Sequence, residues 1–95
     1  MKVRRFALKF VENSRATLLE MQNSTRQSDL VALGRLAHRL KSSAATVGAE
    51  AFSILCKELE AACQRNDVVQ AAQMVGELAP VLEGVNAELL ADGGA

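Results

Sequence analysis

His38 is the only histidine in a chain of 95 residues, with Lys41 three positions on and Ser42 four on. At the helical period those three side chains share a face, one turn apart. An imidazole can serve as base, metal ligand or nucleophile, and a cation one turn away offsets an anion held on its ring. Around His38 the same projection sets Val31, Gly34, Ser42 and Ala45, mostly small residues that leave room for another protein to approach. A later stretch offers a polar flank of Ser53, Lys57, Glu60 and Gln64 beside its apolar face. A carboxylate from that flank, accepting a hydrogen bond from one ring nitrogen, would fix the tautomer and leave the other nitrogen as a nucleophile. The bland reading is that a lone surface histidine on a helix is most often inert, and it is these three features that weigh against it.

Other chemistries find no support. The sequence has no glycine-rich phosphate loop, no HExxH, no serine in a nucleophile elbow and no pair of CxxC elements. Nothing in it could bind ATP. One histidine cannot build a multi-histidine metal site or the Glu-x-x-His pairs of di-iron bundles. Cys56 and Cys63 lie on one helix face, about 10 Å apart along the axis at roughly 1.5 Å per residue, too far for a disulfide. With Phe52, Leu55 and Leu59 beside them they read as core-filling thiols in a reducing setting.

The elements that must position His38 follow from apolar periodicity. Val3, Phe6, Phe10, Thr17 and Met21 predict an amphipathic helix over 3–23, broken at Asn23-Ser24-Thr25. Ser28 or Asp29 can cap a second helix, 29–47, whose stripe is Leu33, Ala37, Leu40, Ala44 and Val47, with Leu30 and Leu36 at its edges. Gly48 is its left-handed stop. A third helix, 50–65, buries Phe52, Leu55, Cys56, Leu59 and Cys63 and ends in the turn Asn66-Asp67. Asp67 with Gln70 reads as a capping box for a fourth helix, 68–90, with Val68, Ala72, Val75, Leu78, Ala79, Leu82, Val85 and Leu89 as its stripe. Pro80 interrupts that helix on its polar side and predicts a kink or a split, at a cost of about 3 kcal/mol. The last residues, Asp92 to Ala95, are expected to fray. Four such helices with short connections predict an all-α, antiparallel up-down-up-down four-helix bundle, a single domain over 1–95.

Composition agrees. The chain has three aromatic residues, no Trp or Tyr, and an apolar half made mostly of Ala, Leu and Val, which suits helix packing. Formal net charge is zero with both signs interspersed, so nothing favours nucleic acid or an anionic membrane. The basic start, Lys2, Arg4, Arg5 and Lys9, reads as a solvated helix face; no apolar run follows it as in a secretory signal, and none spans a membrane. The expectation is a cytoplasmic domain.

His38-Arg39-Leu40-Lys41-Ser42-Ser43-Ala44, followed by Val47-Gly48-Ala49, resembles the phospho-accepting motif of histidine-containing phosphotransfer (HPt) domains of two-component phosphorelays. The resemblance extends through Cys56, Leu59, Glu60 and the Arg65-Asn66-Asp67 turn, and more loosely back to Phe6 and Phe10. It implies that His38 is the phosphorylated nucleophile, that Lys41 lies near the phosphoryl oxygens, and that Glu60 bonds the other ring nitrogen. Ser42 takes the small position one turn on, where the family often has Gly, and its hydroxyl could bond a phosphoryl oxygen. Gln64 stands where some members have a basic residue, so a second cation must come from Arg65 or elsewhere.

The resemblance further implies that a receiver domain docks over Val31, Gly34, Arg35 and Ala45, bringing its own phospho-aspartate and Mg²⁺; the HPt-like chain needs no cofactor of its own. It implies a C-terminal module excised from a larger hybrid sensor kinase, tethered through it to a membrane sensor, or a free-standing protein. Two alternatives are the substrate domain of a chemotaxis-type kinase and a helical interaction module that no longer transfers phosphate. The trio His38, Lys41 and Glu60 counts against the last.

Overall fold

The computed structural model describes the backbone of residues 2–94 and the side chains of residues 8–88. Four helices follow one another: α1 (Lys2–Arg26), α2 (Leu30–Thr46), α3 (Glu50–Gln64) and α4 (Val68–Gly94). α1 packs on α2 and α4, and α3 packs on the same two, the arrangement of an up-down-up-down bundle. The expected architecture is the observed one.

Each turn between helices takes three residues and has the same construction. Ser28, Gly48 and Asn66 adopt positive φ of 54°, 77° and 57°. The next residue then donates its N–H five residues back: Asp29 to the Ser24 carbonyl, Ala49 to Ala44 and Asp67 to Ala62, at 2.9 to 3.0 Å. This closes the orphan carbonyls of the finished helix and turns the chain directly into the next one. Asp29 and Asp67 then cap the new helices by accepting the N–H of Ala32 and Gln70, each at 3.1 Å. Ala49 has no side chain able to do so.

The core is a run of buried positions from all four helices. α1 contributes Phe10, Val11, Ser14, Thr17, Leu18, Met21 and Ser24, in two rows at three- and four-residue spacing. Phe52 of α3 is fully buried, and the Phe10 ring meets it edge-on, centroids 5.8 Å apart. Cys56 and Cys63 are free and buried, as expected. Thr17 and Thr25 satisfy their hydroxyls on carbonyls four residues back, whereas the buried Ser14 hydroxyl has no partner among the described residues.

Several details depart from the sequence reading. α1 continues through Asn23-Ser24-Thr25, because Ser24 faces the core and Thr25 bonds the Met21 carbonyl inside the helix. On α4 the buried stripe is Ala71, Met74, Val75, Leu78 and Leu82. Val68, expected within the stripe, is 43% exposed, because it begins α4 at the end of the bundle; Ala72, Ala79 and Val85 are half-buried. Pro80 is exposed and does not split the helix, which runs unbroken from Val68 to Gly94. α4 therefore also continues through Asp92, where fraying was expected; Ala95 lies outside the described residues, as do the side chains of Val3, Phe6 and Leu89.

Candidate functional site

His38 follows buried Ala37 and precedes buried Leu40, so its side chain leaves α2 beside the seam with α3 instead of entering the core. The imidazole is 60% exposed. Its Nδ1 stands 2.9 Å from Oε2 of Glu60 on α3. Lys41, one turn further along α2, donates from Nζ to the other oxygen of the same carboxylate at 2.8 Å. The Ser53 hydroxyl adds a third tie between these helices, donating to the Lys41 carbonyl at 3.2 Å.

Electrostatics settles the tautomer. The Glu60 carboxyl is held below the ordinary carboxylate range, first by the hydrogen bond from Lys41, with partial burial opposing and the His38 bond adding to the lowering. Near neutral pH Glu60 is therefore an acceptor only. In the neutral ring Nδ1 must then be the N–H donor, which leaves Nε2 with its lone pair on an exposed imidazole. The two thiols nearby are no rivals as nucleophiles. Burial pushes Cys56 up to about 12, against the opposing charge of Lys41. Cys63 is raised by burial and by the Glu60 carboxylate, so both stay protonated.

His38 borders a shallow depression between α2 and α3, with Val31, Gly34, Arg35 and Arg39 on one side and Cys63 and Gln64 on the other. A Cβ added at Gly34 would stand 3.5 Å from Cβ of Cys63, an ordinary contact, so the glycine keeps the floor open without being demanded by packing. Val31, Gly34 and Arg35 thus sit with His38, while Ala45 is exposed nearly two turns beyond it and outside the depression. Ser42 is exposed one turn from His38. Arg65 caps the end of α3 and does not border the depression; the cations that do are Arg35 and Arg39.

The sequence reading names Arg39 within the motif but gives it no role; it also borders a second depression between α1 and α2, over Phe10 and Leu40. Sequence reasoning had overlooked the pairing of Lys41 with Glu60, although Lys41 shares a helix face with His38 and so points at the same neighbour. Among the described residues no three of His, Cys, Asp and Glu are grouped to hold a metal ion, and no helix is long and apolar enough to cross a membrane. The arrangement can hold an oriented, solvent-open nucleophile beside a cation, on a rigid two-helix base.

Comparison with known proteins bears on what such a nucleophile does. The family model described as the Hpt domain matches residues 5–90, nearly the whole chain. Among curated proteins and among solved structures, none matches.

Proposed function

From the premise that this chain belongs to the Hpt domain family and takes part in histidine phosphotransfer of two-component signalling, we propose that it is a relay intermediate. His38 accepts a phosphoryl group from the phospho-aspartate of a receiver domain and passes it to another receiver. The observation that carries this reading is the 2.9 Å contact of Nδ1 with Glu60 on a ring that is 60% exposed.

Nε2 attacks phosphorus in line, a P–N bond forms, and the P–O bond to the aspartyl carboxylate breaks, that carboxylate leaving with the electron pair. The ring keeps its Nδ1 proton and gains positive charge, which the Glu60 carboxylate offsets as it develops. Lys41, already fixed beside Glu60, counters the phosphoryl charge. Reversal of the same steps delivers the group to the next aspartate. Mg²⁺ belongs to the receiver's side of the reaction. The reading places the domain in the cytoplasm, as a module of a hybrid sensor kinase.

The test is transfer from a phosphorylated receiver domain with Mg²⁺ and without kinase, read by intact mass. An acid-labile, alkali-stable adduct on wild type and none on His38→Gln, with helical content unchanged, is the expected result. Acceptance only from a kinase domain with ATP would move the protein to the chemotaxis-type role, and no acceptance from either would leave an interaction module.

A further inference from the structure

Two helices of this formally neutral chain carry charge of one sign only, whereas α1 and α3 carry both. α2 carries Arg35, Arg39 and Lys41 and no Asp or Glu, whereas α4 carries Glu77, Glu83, Glu88 and Asp92 and no Lys or Arg. Because α1 and α3 each pack between them, α2 and α4 stand on opposite corners of the bundle. Some of these charges are already partnered. Lys41 is held by Glu60, and Glu83 makes a paired hydrogen bond with Arg15 of α1.

Arg35 and Arg39, one turn before His38 and one residue after it, make no ion pair among the described residues, and neither do Glu77 and Glu88. Asp29, whose carboxylate caps α2, and Glu20, on the rim of the α1–α2 depression, are acids on the cationic side along with Glu60. The bundle is 17 to 18 Å thick, which exceeds the screening length of about 8 Å at physiological salt. A partner approaching one corner therefore feels that corner's sign and not the neutral sum.

We propose that this polarity steers an anionic partner face onto α2, with Arg35 and Arg39 as the attracting groups and the acidic α4 turning away misdirected encounters. The proposal rests on the phosphoryl-transfer reading, which supplies the anion: the donor face presents a phosphoryl group together with the carboxylates that hold its Mg²⁺, and between them these outweigh the charge of the ion. Lys41 contributes little at long range, since Glu60 cancels it, and acts only once the partner has docked.

The test measures the second-order rate constant for transfer from a phosphorylated receiver domain, from low to high salt, in three proteins. One is wild type. The second is Arg35→Gln/Arg39→Gln. The third is Gln73→Glu/Ala87→Glu, which places the same change of net charge on exposed positions of α4. Wild type should slow as salt rises. The arginine variant should be about three- to tenfold slower at low salt, with the deficit shrinking as salt rises, while the α4 variant stays within about twofold of wild type throughout.

Equal slowing of both variants would mean that net charge decides, and a deficit of the arginine variant that is the same at every salt concentration would mean short-range contact alone; either overturns the proposal. So would a wild-type rate indifferent to salt. No transfer at any salt would count against the phosphoryl-transfer reading itself, and the proposal would fall with it.

Discussion

Glu60 gives one oxygen to His38 and the other to Lys41, so one side chain sets both the aim of the ring and the place of the cation. Glu60→Gln replaces an acceptor oxygen with an NH₂ donor, so either one partner lets go or the ring takes the other tautomer, with its proton on Nε2. Transfer should fall roughly ten- to hundredfold with helical content kept, as small misplacements of a nucleophile do. The pH dependence has a definite sign. A carboxyl lowered by folding contributes stability that is present above its ordinary value of 4.5 and is lost as pH falls through the folded value. Urea midpoints of wild type should therefore drop on acidification below that value, and those of Glu60→Gln should drop less; an equal drop would refute the assignment. At this scale the sequence was readable through a resemblance, which named His38, Lys41 and Glu60 together. What it could not yield was the Lys41–Glu60 pair, because helical periodicity locates a Cβ but not the end of a long, flexible side chain.

The helices were legible for a more physical reason. Apolar spacing locates a helix, and their stops are local events: a residue at positive φ and a bond five residues back. Gly48 announced one such stop because only glycine takes that conformation without a penalty. Ser28 and Asn66 do the same work with side chains attached, so the end of α1 was placed three residues early, at a polar triplet that the helix absorbs. The three turns should respond to substitution with opposite signs. Gly48→Ala meets no neighbouring atom within 4 Å, yet should cost about 1 kcal/mol through its φ alone. Ser28→Gly should gain about half that or more, since it relieves the same strain from the other side. Thermal unfolding of the two variants decides the matter; shifts of the same sign would show that packing, and not backbone conformation, governs these turns.

At the scale of the whole molecule, the bundle depends on a core with few large side chains, and Phe52 lies at its centre against Phe10. Phe52→Ala should cost about 3–5 kcal/mol, a large part of the roughly 5–15 kcal/mol that holds a small domain together. Its urea midpoint should fall accordingly, and a loss under about 1 kcal/mol would mean that the core collapses to refill the space. The architecture was predictable because every level agreed: short turns force antiparallel neighbours, and four apolar stripes have only one another to cover them. The stripe of α4 was the exception, read too early at Val68, since periodicity does not say where a partner helix ends. Pro80 carries that helix's remaining consequence. It has no N–H, so the Gly76 carbonyl lacks its helical donor, and the surrounding turns hold Gly76 and Gly84 at exposed positions. In native-state hydrogen exchange, the amides of that middle stretch should open sub-globally, ahead of the α2–α3 pair clasped by Ser53 and Glu60. Because α4 stands across the bundle from α2 but packs on α3, such an opening reaches the His38 imidazole only by way of α3 and its Glu60, and the lifetime of the oriented ring depends on how firmly α3 stays clasped to α2.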